Sequence, residues 1–176
     1  MSLSTSPLHI HVAGCTPQLW KNGGGVTREL LAWPNAHEWQ LRISVADITQ
    51  NGAFSSFTDV QRSFAVIEGA GVRLKFTNRL EVVTQDSEPL QFEGAEAPYC
   101  ELLDGSTRDL NVMCKTGRKI KLNKAYSSEE KSCCGLFLIE GQSLEWHEPA
   151  TLMQAPHSQN VSAHTKQHIG WWIDFL

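Results

Sequence analysis

Two arginines and an aspartate–asparagine pair carry the strongest chemical signal in this chain. Arg42 and Ser44 fall on the polar face of an otherwise apolar segment, Trp39-Gln40-Leu41-Arg42-Ile43-Ser44-Val45-Ala46. Further on, Asp109 and Asn111 share one face of a second segment, opposite Leu110 and Val112. Asp47, Ser55 and Arg62 lie between the two. A guanidinium on the inner face of a small β structure cannot stay unpaired, because burying a lone charge is very costly. Two outcomes stay open. Arg42 pairs with an internal carboxylate such as Asp109 or Asp47, or it faces a cavity that receives an anion from solution. A planar guanidinium suits bidentate carboxylate binding, so the second outcome calls for a small acid as ligand. The competing account is a structural ion pair or a solvated sheet face.

A second polar cluster lies upstream, in Trp20-Lys21-Asn22-Gly23-Gly24-Gly25-Val26-Thr27-Arg28-Glu29. Three adjacent glycines imply a sharp turn or a close approach of the main chain to another group. Lys21, Asn22 and Arg28 place cations and an amide around that backbone, so Gly24 and its neighbours are candidates for the mouth of a binding site. The plain alternative is a tight loop between two strands.

Metal and nucleophilic chemistry find less support. His9-Ile10-His11 has the one-residue spacing of a cupin metal motif, but no Asp or Glu follows until Glu29. His164 and His168 are four apart, a spacing that suits a metal only on a helix, and their surroundings read as strand and turn. His147 sits between Glu145 and Glu148 and reads as a solvated strand end. No GxSxG elbow is present. Cys133-Cys134 has a mildly basic context, but cysteines entering an apolar strand are usually inert. The expectation is therefore a site with no metal, no cofactor and no covalent nucleophile.

These residues must be positioned by strands, because period-two alternation dominates the chain. Segments 26–32, 39–46, 63–67, 72–76, 81–83, 90–92, 99–103, 110–114, 118–122, 136–140, 143–146, 151–154, 160–164 and 170–175 all read as strands. Glu68-Gly69-Ala70-Gly71 reads as the turn of a hairpin. Segments 47–49, 55–59 and 127–131 could each form a helical turn. Many short strands with recurrent Gly turns indicate an all-β sandwich or barrel. At 176 residues the chain is one compact unit or two half-domains sharing a core.

A formal net charge of −4 argues against a nucleic-acid backbone partner. No apolar run approaches the ~20 residues that span a bilayer, and the first residues lack a secretory pattern. The five cysteines, an odd number, read as free thiols in a reducing compartment, so a cytoplasmic location is expected. The terminal Trp171-Trp172-Ile173-Asp174-Phe175-Leu176 reads as a last strand tucked into the sheet, with a homodimer surface as its alternative.

Several blocks together resemble the HutD/Ves family. They are Trp20–Gly25 with Thr27-Arg28-Glu29, Trp39–Ile48, Gly52-Ala53-Phe54-Ser55-Ser56-Phe57, Glu68–Gly71, and Leu103-Asp104-Gly105 followed by Asp109–Met113. They run in family order across residues 20–114, and the last third matches loosely. Where the family has Pro-Gly-Val-Asp-Arg, this chain has Thr58-Asp59-Val60-Gln61-Arg62, keeping the arginine and losing the acid. The resemblance implies a cupin-like double-stranded β-barrel in a bicupin arrangement, here with approximate halves 1–115 and 116–176, and lacking the usual cupin metal ligands. It also implies a role in histidine utilisation or stress response, through binding of a formylglutamate- or urocanate-like acid that restrains the pathway.

The expected function is thus the regulatory binding of a small carboxylate. Candidate ligand contacts are Lys21, Asn22, Gly24, Arg28, Arg42, Ser44, Ser55, Arg62, Asp109 and Asn111. The alternative is a metal-independent isomerase or hydrolase acting on a small acid, with Asp47, Asp109 or Glu29 as general base.

Overall fold

The computed structural model describes residues 7–127, 133–147 and 167–175. Fifteen strands follow one another along these residues: β1 Leu8–His11, β2 Pro17–Leu19, β3 Gly25–Trp33, β4 Leu41–Ile48, β5 Gly52–Ala53, β6 Val60–Glu68, β7 Val72–Lys75, β8 Leu80–Val83, β9 Leu90–Glu93, β10 Tyr99–Leu102, β11 Thr107–Lys115, β12 Ile120–Tyr126, β13 Gly135–Leu138, β14 Ser143–Trp146 and β15 His168–Phe175. Two single 3-10 turns, Val12–Gly14 and Gly94–Glu96, are the helical pieces among the described residues. Among the described residues no helix is long and apolar enough to cross a membrane.

The chain divides into two compact units, residues 15–120 and residues 1–14 with 121–176. The larger unit has a six-stranded sheet, in the order β2-β3-β4-β11-β6-β9, and a four-stranded sheet, β5-β10-β7-β8. Apolar side chains from both sheets form one core: Ile48, Phe64, Val66 and Phe92 from the first, and Val72, Leu74, Val83 and Cys100 from the second. Phe54 and Phe76 join it from the connections. Burying each such Phe or Leu contributes about 2 kcal/mol. The smaller unit has one five-stranded sheet, β1-β14-β13-β15-β12. Trp146, Phe137 and Trp171 are fully buried within it.

The all-β expectation holds, and the larger unit has the paired sheets that a cupin-like chain requires. The division falls at 120/121 rather than 115/116, and β1 pairs with β14, so the N-terminal strand belongs with the C-terminal residues. Strands appear where alternation placed them, with the segments at 151–154 and 160–164 outside the described residues. The 127–131 turn also extends beyond them.

Three expectations are corrected. Segment 47–49 is not helical: Asp47 and Ile48 end β4 in extended form. Segment 55–59 has no helical turn. The Glu68–Gly71 turn does not close a hairpin, because β6 pairs with β11 and β9 while β7 pairs with β10 and β8. That turn instead carries the chain from one sheet to the other.

Candidate functional site

Cross-strand register sets the inner face of the six-stranded sheet. Arg42, Met113 and Arg62 stand in one row across β4, β11 and β6. Ser44, Asn111 and Phe64 form the next row, and Ala46, Asp109 and Val66 the third. Partners in a row share a face, so both arginines and the Asp109–Asn111 pair point to the same side. On β3, Thr27 and Glu29 belong to this face opposite Ala46 and Ser44. A bulge between Glu29 and Leu31 then resets the alternation.

This face lines a cavity of about 480 Å³ within the larger unit. The sheet supplies Thr27, Arg42, Ser44, Arg62, Asp109 and Asn111. Trp20, Phe54, Phe57 and Met113 supply apolar surface. Gln18, Leu19, Lys21, Asn22, Ala53 and Ser55, all exposed, complete the lining with the buried Ala46. An apolar wall with a few convergent polar groups is the usual build of a small-molecule site.

The two arginines have different environments. Arg42 donates its Nε to Glu29 at 2.5 Å, and the pair remains about one-quarter exposed. Its nearest acid is therefore neither Asp109 nor Asp47. Arg62 is 7% exposed and has no carboxylate of the described residues in ion-pair contact. Its Nη2 donates to the Asn111 side-chain oxygen at 2.7 Å, and its Nε has no partner. The guanidinium carbon lies 4.9 Å from the Phe54 ring centre and 5.0 Å from that of Phe92, within cation–π range. Burial pulls Arg62 down to about 10, with the Asp109 charge opposing the shift, so it stays a cation at neutral pH.

Asp109 is fully buried. Its Oδ2 accepts from the Asn111 side-chain amide, and its Oδ1 has no partner. Burial pushes this carboxyl well above the usual range, against the opposing pull of the Arg62 charge. Cys100 faces the same core and is pushed up to about 12, first by burial and then by the charges of Asp109 and Glu101.

The glycine run is a shaped turn beside the cavity. Gly25 approaches β4 so closely that a Cβ would lie 2.5 Å from the Asp47 carbonyl oxygen. The Asn22 side chain accepts from the Gly24 amide at 3.0 Å, and the Gly24 carbonyl accepts from the Thr49 amide at 2.9 Å. Trp20 donates its indole N–H to the Thr27 hydroxyl at 2.7 Å and meets Phe54 edge-on. The turn thus holds an aromatic wall residue in place.

Of the ten candidate contacts, eight line the cavity: Lys21, Asn22, Arg42, Ser44, Ser55, Arg62, Asp109 and Asn111. Two do not. Arg28 lies on the opposite face of β3 and bonds Asp47 at 2.7 Å, and Asp47 also accepts from Arg108. Gly24 is buried beside Asn22, its amide donating to the Asn22 side chain and its carbonyl accepting from Thr49. Sequence reasoning missed Glu29 as the partner of Arg42. Its alternation with Arg28 was the available signal, but the bulge was not visible.

Elsewhere, His147 and Glu145 are largely buried and 3.4 Å apart, so this strand end is not solvated. Cys133 and Cys134 are buried and donate to the carbonyls of Gly135 and Phe175, consistent with structural thiols. His9 and His11 are exposed on β1. No cluster of three potential metal ligands occurs among the described residues.

Comparisons with known proteins agree with this architecture. HutD from Pseudomonas fluorescens SBW25 superposes with a TM-score of 0.75 at 20% identity, covering 97% of this chain and 98% of that one. A conserved protein of unknown function from Pseudomonas aeruginosa PAO1 gives a TM-score of 0.73 at 23% identity, covering 97% and 99%. At these identities the likeness is one of fold. Protein Ves of Citrobacter koseri is 35% identical over 102 residues, 57% of this chain and 53% of Ves. An uncharacterised 21.2 kDa protein in the hutC 3′ region of Pseudomonas putida is 34% identical over 96 residues, 53% and 50% of the two chains. The chain thus spans about half the length of the relatives it matches. The HutD profile itself matches residues 13–168, nearly the whole sequence, and on that span the chain belongs to the HutD family.

Proposed function

We propose that this chain binds a small carboxylate metabolite, formylglutamate- or urocanate-like, and acts by that binding in a cytoplasmic regulatory role in histidine utilisation or stress response. Arg62 carries the reading. A buried cation with an unpartnered Nε and no carboxylate of the described residues in contact costs stability, and an incoming anion offsets that cost. Arg42 provides a second guanidinium in the same row, and Lys21 adds positive charge at the cavity. Ser44, Ser55 and Asn22 supply orienting hydrogen bonds. Asp109 is the one carboxylate among the lining residues given and no histidine or cysteine stands with it, while two arginines and a lysine do, so the donor set suits an organic anion better than a metal. The placement in histidine utilisation draws on the family and on the hutC-region relative, not on the site.

Calorimetry with N-formyl-L-glutamate, urocanate and glutamate tests the reading. At least one acid should bind the native protein, and Arg62→Ala should weaken it about tenfold or more. Failure of all three to bind, or undiminished binding by Arg62→Ala, overturns it.

A second reading, metal-independent turnover of a small acid, draws on Asp109. A buried carboxyl raised in this way is suited to act as a general acid rather than as a base. Product formation on incubation, lost in Asp109→Asn, would establish that reading.

A further inference from the structure

The hydrogen bonds between Arg62 and Asp109 run in one direction. A guanidinium can only donate, so the Asn111 side-chain oxygen must be the acceptor facing Arg62. The Asn111 amide nitrogen is then turned toward Asp109, where it can only donate, and Oδ2 accepts from it. A proton on this carboxyl therefore resides on Oδ1, the oxygen with no partner among the described residues. Asp109 also lines the cavity.

We infer that Asp109 is held as a carboxylic acid with its hydroxyl on Oδ1, and that this hydroxyl donates to an oxygen of the bound molecule. The inference rests on the proposed binding function and sharpens it. A fitting ligand carries an oxygen acceptor in addition to the carboxylate held by arginine. Binding then depends on a proton that the site must retain.

The surroundings favour the neutral acid. The residues facing Asp109 across the strands are Ala46 and Val66, neither of which carries charge. The Arg62 charge and the hydrogen bond from Asn111 favour ionisation, but burial outweighs both. Asp47, on the other face of β4, opposes ionisation, and the Cys100 thiol stays neutral over the working pH range.

Asparagine mimics such an acid, with one atom that accepts from Asn111 and one that donates to the ligand. N-formyl-L-glutamate is the probe for calorimetry from pH 5 to 9. Asp109→Asn should bind within about threefold of native at pH 5 and lose any weakening of affinity seen in the native protein as pH rises. Asp109→Leu should bind about tenfold or more weakly at pH 5, the scale of one buried hydrogen bond. If native binds while Asp109→Asn is as weak as Asp109→Leu, the carboxyl acts as an anion and the inference fails, with the binding function intact. If native does not bind, the binding function fails, and the ligand half of this inference with it. Carboxyl ¹³C NMR of the ligand-free protein decides the protonation independently. The resonance lost in Asp109→Asn should still be that of the acid at pH 6, and an ionised signal at pH 5 overturns the assignment.

Discussion

Arg62 and Asp109 stand on paired strands, one a cation and the other an acid, yet Asn111 bridges them and they make no direct ion pair. Direct contact would let the two charges cancel. The amide keeps them apart, and burial outweighs their mutual attraction, pulling the arginine down and pushing the carboxyl up. What remains is a positive site in an aromatic box.

Arg62→Met separates function from stability. A buried, incompletely paired cation replaced by an apolar side chain of similar length is often neutral or stabilising. We expect urea denaturation to show a stability unchanged or raised by about 1 kcal/mol, while acid binding is lost. A loss of more than about 2 kcal/mol would show that Arg62 is needed to hold the sheet together.

Glu29 sets how much of Arg42 is left for a ligand. It lies opposite Ser44, one row from Arg42, and reaches its Nε diagonally. Glu29→Gln removes that competing charge while keeping a hydrogen-bonding side chain. Anion affinity should rise about threefold to tenfold, and more steeply at low ionic strength. Weaker binding would instead mean that Glu29 positions the guanidinium.

Much of the site was legible because a strand sorts side chains by parity. Arg42 and Ser44 alternate with Leu41, Ile43 and Val45, so their common face followed directly. The same parity puts Asp47 on the face of Val45, and Arg28 opposite Thr27 and Glu29. Followed through, it excludes both the Arg42–Asp47 pair and Arg28 as a cavity residue. Parity does not reveal which sheet a strand joins, so the Glu68–Gly71 corner reads in sequence as a hairpin turn. Nor does it reveal a bulge, which adds a residue without changing composition. The short edges β2 and β5 are two or three residues long and carry too little pattern to be found.

On the opposite face, Asp47 accepts from both Arg28 and Arg108. Burial pushes its carboxyl up, but the hydrogen bonds from Arg108 and Arg28 outweigh that and hold it below the usual range. A depressed carboxyl stabilises the fold above its unfolded pKa of about 4, and that contribution is lost as pH falls through the lower folded value. Asp47→Asn should cost about 1 kcal/mol at pH 7, a modest figure because the pair is one-quarter exposed and screened by solvent. The difference between variant and native should shrink toward pH 3. A difference that persists there would mean packing, not charge, is lost.

The corner between the sheets gives the sharpest stability contrast. Gly71 has φ +106° and lies against β8, where a Cβ would be 2.3 Å from the Val83 carbonyl oxygen. Its own carbonyl accepts from the Leu103 amide and the Thr107 hydroxyl, which ties the corner to the start of β11. Gly71→Ala must therefore strain the backbone and also displace a strand, at a cost of about 3 kcal/mol or more. Gly23 also has a positive φ, +72°, but nothing lies within 4 Å of its Cβ position. Gly23→Ala should cost only about 1 kcal/mol, the strain of the left-handed conformation alone. Urea midpoints of the two variants measure this difference. Equal losses would show that close approach at the corner is relieved by small shifts, and that conformation sets both costs.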